Sequence, residues 1–106
     1  MTVMGSHVGE LPFFGHIIDG QEMPSVDGTT MPDIDPYLRE PWAMIACGGV
    51  TEADLAVSAA RRAFDSGPWP RMGFEQRSAL MHRLADLMVG HADELALADT
   101  RDMAKP

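Results

Sequence analysis

The chain has 106 residues, 45% of them hydrophobic and 23% charged, and sixteen acidic against eight basic side chains set its formal charge at −8. That acidic excess, with no basic run longer than Arg61-Arg62, leaves no positive surface for phosphates and argues against nucleic acid and anionic membranes as partners. The length allows one domain at most, and a chain of this mass buries only about two thirds of its unfolded surface, so its core is thin.

No stretch approaches the ~18 consecutive apolar residues of a membrane span. Nor does a basic segment followed by an apolar one open the chain, so no signal peptide is expected. Cys47 is the single cysteine and excludes an intramolecular disulfide, which suits a reducing compartment. Together these features predict a cytoplasmic protein.

Residues 1–12 carry Gly5, Gly9 and Pro12 without periodicity and are expected to form a flexible tail. Order is expected from Phe13 or Phe14, because His16-Ile17-Ile18 runs into Asp19-Gly20, a hairpin turn dipeptide. Asp27-Gly28 marks a second turn before Thr29-Thr30-Met31. Pro32 and Pro36 bracket Asp33-Ile34-Asp35, which should run extended, and Ala43 to Cys47 supplies another strand. Residues 13–48 thus read as a β ribbon of two or three short, edge-like strands, a unit barely stable by itself.

The composition changes at Thr51. Thr51-Glu52-Ala53-Asp54 offers a capping hydroxyl with a carboxylate three residues on, predicting a helix over about 51–66. Its stripe of Ala53, Ala56, Val57, Ala60, Ala63 and Phe64 is narrow. Gly67-Pro68 stops it and Trp69-Pro70 continues as a rigid linker. A second helix over about 74–89 carries Leu80, Met81, Leu84, Leu87 and Met88 at helical spacing, with Gly90 placed to end it. A third, over about 92–103, has only Leu95, Ala98 and Met103 to bury. With nothing else to pack on, the first two stripes should cover each other and leave part of the broader one exposed.

No catalytic or cofactor-binding residue emerges from these patterns. Cys47 reads as a buried structural thiol at a strand end, with no His and no predicted helix N-terminus nearby to activate it. His7, His16, His82 and His91 are dispersed and show no metal-ligand spacing. The pairs Asp33/Asp35, Asp93/Glu94 and Asp99/Asp102 suit solvated turns and helix faces. Gly48-Gly49 is the only adjacent glycine pair, and no phosphate-cradling glycine motif follows a strand. Met81 and Met88 are expected in the core.

Several stretches nevertheless occur in a telling order. Ile18-Asp19-Gly20, Ile34-Asp35-Pro36 with Glu40, and Ala53-Asp54-Leu55 leading to Ala59-Ala60-Arg61-Arg62-Ala63-Phe64 come first. Gly67-Pro68-Trp69, Arg77, Leu84-Ala85-Asp86-Leu87, Asp93-Glu94-Leu95-Ala96 and Thr100-Arg101-Asp102-Met103 follow. Over residues 13–106 this order resembles the amino-terminal segment of the NAD(P)-dependent aldehyde dehydrogenase superfamily. The chain departs from the family pattern at Leu38-Arg39, in place of Thr-Gly, at Gly73-Phe74, in place of Ser-Pro, and at Ala104, in place of a glycine.

The resemblance implies an α/β fold of which this chain holds only the N-terminal β ribbon and two to three α-helices, so that 13–106 is a truncated part of a larger domain. It implies oxidation of an aldehyde to a carboxylic acid through a cysteine thiohemiacetal, with hydride passing to NAD or NADP and a glutamate activating water. The family residues for those steps have no counterpart among the matched stretches. The chain alone is therefore expected to be inactive and to bind neither cofactor, the full-length protein being a homo-oligomer. The resemblance also suggests a monovalent cation held by backbone oxygens at Asp33 and Ile34 and by the Asp102 carboxylate, hard donors suited to such an ion. The competing reading is a stand-alone acidic helical module that docks a partner through its Leu80 to Met88 stripe, or the product of a decayed gene.

Overall fold

The computed structural model describes residues 7–105. Six strands come first: β1 (His7–Val8), β2 (Leu11–Phe14), β3 (His16–Ile18), β4 (Gln21–Met23), β5 (Thr30–Asp35) and β6 (Glu40–Ala46). Three helices follow, α1 (Val50–Ser66), α2 (Phe74–Gly90) and α3 (Ala92–Met103), with a 3-10 turn at Trp69–Arg71. Short strands followed by three helices is the expected arrangement.

The start of the chain differs from expectation. Residues 7–12, assigned to a tail over 1–12, form β1 and the first half of β2; residues 1–6 of that tail lie outside the described residues. Gly9 supplies a left-handed turn (φ 67°) that folds β1 back onto β2, pairing His7 with Pro12 and Val8 with Leu11.

The ribbon of two or three strands is also richer than expected. A four-stranded sheet has the order β1-β2-β6-β5, and β3 and β4 form a separate hairpin. β2 and β6 run parallel, Phe13 opposite Met44, whereas β5 and β6 form an antiparallel hairpin. Pro32 lies on β5, the edge, where a missing N–H costs little.

Turn chemistry behaves as read. Asp19 (φ 55°) and Gly20 (φ 74°) both adopt left-handed conformations, as a two-residue hairpin turn of the favoured hand requires. At the second turn the Gly28 N–H donates to Ser25 O (2.9 Å) and the Thr29 N–H to Asp27 Oδ1 (2.9 Å). Between β5 and β6, Asp35 Oδ1 accepts from the N–H groups of Tyr37 (2.8 Å) and Leu38 (3.0 Å). Arg39 then takes φ 60°, and Ala104 after α3 takes φ 52°. Both stand where the resembled family carries glycine, and a β-carbon there is strained by about 1–2 kcal/mol.

The cap of α1 corrects the sequence reading. Gly49, not Thr51, is the N-cap; Thr51 lies inside the helix, and Glu52 Oε2 accepts from the Gly49 N–H at 2.8 Å. Gly67 closes α1, its N–H donating to Ala63 O. Gly73 caps α2 with Gln76 Oε1 accepting from its N–H at 3.3 Å. Gly90 is still helical, and His91 both ends α2 and begins α3.

Among the described residues, the buried apolar side chains are Phe13, Ala43 and Ala59 alone. The expectation that α1 and α2 cover each other fails: α1 leans on the 3-10 turn and β3, α2 on α3, and α3 on β5. Leu80, Met81, Leu84, Leu87 and Met88 are therefore 41–54% exposed, so the two methionines are surface residues rather than core. The chain is correspondingly spread out. Its radius of gyration is 16.7 Å against about 13 Å for a compact domain of this length. Its accessible surface is 8387 Å² against about 5,800 Å² for a folded protein of this mass. Among the described residues no helix is long and apolar enough to cross a membrane.

Candidate functional site

An open cleft of about 540 Å³ lies between the sheet and α3. Phe14, Trp42, Ile45 and Asp33 line it from the sheet, and Leu97, Arg101 and Asp102 from α3. Strand alternation and a helix crossing bring these together: Asp33 on β5 faces α3, whose last turn carries Arg101 and Asp102.

The carboxyls of Asp33 and Asp102 confront each other. Burial and then the neighbouring Asp102 carboxyl raise the Asp33 pKa above its ordinary 3.8, the Trp42 indole opposing this weakly. Asp102 also sits in the final turn of a helix, where backbone dipoles already place negative charge. Trp42 stacks obliquely on Phe14 (centroids 5.9 Å, 53°) beneath the Arg101 guanidinium (5.9 Å from the ring). Its buried Nε1 leans toward the Asp33 carboxyl without reaching full hydrogen-bond geometry.

A register shift lies between Asp33 and Ile34 on β5. Ile34 then pairs with Pro41, which has no N–H to give the ladder, so the carbonyls at this step face a weakened set of donors. The structure thus brings Asp33 and Asp102 together with the Ile34 backbone close by in sequence. Among the described residues no three His, Cys, Asp or Glu side chains form a metal-binding group, so an ion here would depend on backbone oxygens.

Cys47 is half-buried rather than buried. Its N–H donates to Thr29 O (2.9 Å) and its carbonyl accepts from Ser25 Oγ (2.7 Å). Ser25 lies 3.1 Å from His16 Nε2, the spacing of a nucleophile and its base. With the hydroxyl proton given to Cys47 O, however, His16 must donate to Ser25, and the 3%-exposed hydroxyl is unavailable to a substrate. Gly48 permits this packing, since a β-carbon there would come within 3.0 Å of the His16 ring. His82 and His91 each stay with their own helical neighbours: His82 Nδ1 contacts Ser78 O (2.9 Å), and His91 pairs with Glu94 at 3.3 Å.

Sequence reasoning missed Ser25 and Glu52, the buried polar pair at the junction of β3, the 24–29 loop and α1. Gly49-x-x-Glu52 is itself a capping-box spacing and could have singled out Glu52. Nothing local singles out Ser25.

A model described as the aldehyde dehydrogenase family matches residues 23–106. The chain is 41% identical over 97 residues to "Aldehyde dehydrogenase 1" of Tanacetum cinerariifolium, covering 92% of itself and 19% of that protein. It is 40% identical to a NADP/NAD-dependent aldehyde dehydrogenase of Escherichia coli over 84% of its length and 18% of the relative's. The crystal structure of an NAD-dependent aldehyde dehydrogenase from Sinorhizobium meliloti superposes with a TM-score of 0.85 at 34% identity, over 91% of this chain and 19% of that one. The chain thus spans about a fifth of the length of the relatives it matches. With the β ribbon, the three helices and the matched stretch all in register with those enzymes, the chain belongs to the aldehyde dehydrogenase family.

Proposed function

We propose that this chain is the amino-terminal, structural segment of an enzyme that oxidises an aldehyde to a carboxylic acid with NAD or NADP through a cysteine thiohemiacetal. The observation that carries this reading is a close superposition over 91% of the chain that accounts for only 19% of the matched enzyme. The wide exposure of α2 agrees with a segment built to lie against further structure. A bound nicotinamide would accept the hydride; this chain's own residues supply scaffold, and a homo-oligomer in the cytoplasm is the setting proposed for the complete enzyme. The stand-alone acidic module draws on the same exposed stripe but leaves the match over residues 23–106 without a cause.

The 106-residue chain by itself should show no aldehyde oxidation with either nicotinamide. Cys47 is half-buried and tied by its backbone, and no dinucleotide-binding glycine turn occurs in the sequence. Cofactor reduction stoichiometric with aldehyde loss, and abolished by Cys47→Ser, would overturn the structural role.

The cation site belongs to the same proposal. Backbone oxygens at Asp33 and Ile34 and the Asp102 carboxylate would hold a monovalent ion, and the facing acids fit one because positive charge would relieve their repulsion. The sign is definite. Asp33 binds its proton more tightly when folded, so its ionised form opposes folding above 3.8, and stability from this group rises as pH falls through the raised value. At neutral pH, sodium or potassium should raise the melting temperature by a few degrees over tetramethylammonium at equal ionic strength. Asp102→Asn should erase that difference; a melting temperature indifferent to the ion in the wild type would remove the site.

A further inference from the structure

Ser25, Asp35 and Glu52 are the buried polar side chains among the described residues. Asp35 serves its own turn, but Ser25 and Glu52 sit where two irregular segments, the 24–29 loop and the 47–49 linker, meet the start of α1. Glu52 Oε1 accepts from the Val26 N–H at 2.5 Å and Oε2 from the Gly49 N–H at 2.8 Å. One carboxylate, 6% exposed, therefore holds loop and linker at once. Hydrogen bonds to an ionised acceptor are about twice as strong as neutral ones.

Apart from Glu52, the element on the far side of the loop is held by the His16–Ser25–Cys47 O hydrogen-bond chain and by the contact of β3 with α1. The β3–β4 hairpin is separate from the four-stranded sheet, and a two-stranded hairpin is marginal alone. An open groove lined by Ile18, Ala56, Ala59 and Ala63 runs beside that contact, between the hairpin and α1. The Arg62–Asp19 pair that spans the two (2.8 Å) is exposed at both ends and contributes little. At the other end of the hairpin, Gly15 joins it to β2.

We infer that Glu52 is an acid-released latch: its carboxylate pins the 24–29 loop, and with it the β3–β4 hairpin, to the start of α1, and protonation frees the hairpin while the four-stranded sheet stays folded.

The chemistry follows from the donor set. Both carboxylate oxygens accept, whereas the protonated acid must turn one oxygen into a donor that faces a backbone N–H. The titratable groups around it are Asp27 on the loop, His16 on β3 and Cys47 at the end of β6. The Val26 and Gly49 N–H groups hold the Glu52 carboxyl below its ordinary 4.5, outweighing Asp27, whose charge pushes it up. A lowered folded value means that the latch is fully engaged above about 4.5 and is lost as pH falls through that lower value.

Residue-resolved amide exchange on the full 106-residue chain, corrected for the intrinsic effect of pH, tests this. On acidification below the ordinary carboxylate range, protection at Val26, Gly49 and the β3–β4 amides should fall about tenfold or more. Amides of the β5–β6 ladder should keep theirs over the same interval. Glu52→Gln should show the released pattern already at neutral pH and lose its pH dependence. Simultaneous loss across hairpin and sheet would show one cooperative unit and overturn the latch, as would unchanged protection of Val26 and Gly49. A Glu52→Gln chain that still opens with acid would assign the effect to Asp27 or His16 and also overturn it. If that variant does not fold, the wild-type comparison of hairpin with sheet decides alone.

Discussion

Phe13→Ala should abolish the cooperative urea transition of this chain. Phe13 is 7% exposed, sits on β2 opposite Met44 of β6, and is the one large side chain among the three buried apolar residues. Truncating a buried phenylalanine costs about 3–5 kcal/mol through lost burial and the cavity left behind. Complete domains are stable by only about 5–15 kcal/mol. A chain whose surface exceeds the expectation for its mass by about two fifths lies at the low end of that range. Circular dichroism against urea reads the result directly. A variant that melts with the wild-type midpoint would show that the parallel β2–β6 pair does not organise the sheet.

The second large effect concerns α2. Leu80, Leu84 and Leu87 are 41%, 49% and 51% exposed and lie at helical spacing with Met81 and Met88, forming a continuous apolar stripe. Full burial of a leucine is worth about 1.5–3 kcal/mol, so a half-exposed one still offers about 1 kcal/mol to any surface that covers it. In a concentrated solution of the chain alone the available surface is another copy. Sedimentation velocity should therefore show concentration-dependent association. Leu84→Glu with Leu87→Glu should weaken it by at least about tenfold, since about 2 kcal/mol of burial is removed before the cost of adding charge. Helicity should change little, because both positions are half in solvent and glutamate is a good helix former. A wild-type chain that stays monomeric at every concentration would show that α2 is satisfied as it stands.

The latch and the cation site set opposite pH dependences within one small chain. Glu52 has a lowered folded value and contributes less as acid is added, whereas Asp33 has a raised one and opposes folding less. The two are spatially separate, Glu52 at the hairpin and Asp33 against α3, so single substitutions can resolve them.

What the sequence determined by itself are the features whose causes lie within a few residues. Asp19-Gly20 and Asp27-Gly28 form the turns that their tolerance of positive φ predicts, and the helices begin and end within a residue of the boundaries read from periodicity and glycine. Tertiary structure alone decided the rest. Pairing Phe13 with Met44 in parallel requires contact across some thirty residues, which no local pattern encodes. The local sequence places the α1 cap at Thr51, but it lies at Gly49, where Glu52 bonds both the Gly49 N–H and the N–H of Val26, a residue remote in sequence. Asp33 and Asp102 had no link in the sequence until α3 crossed β5 and set the half-buried Asp33 against the exposed Asp102. The α1 and α2 stripes were legible as stripes, but periodicity reports only that a face is apolar. What covers that face is settled by the path of the chain, which carries α1 to β3 and α2 to α3 instead of to each other.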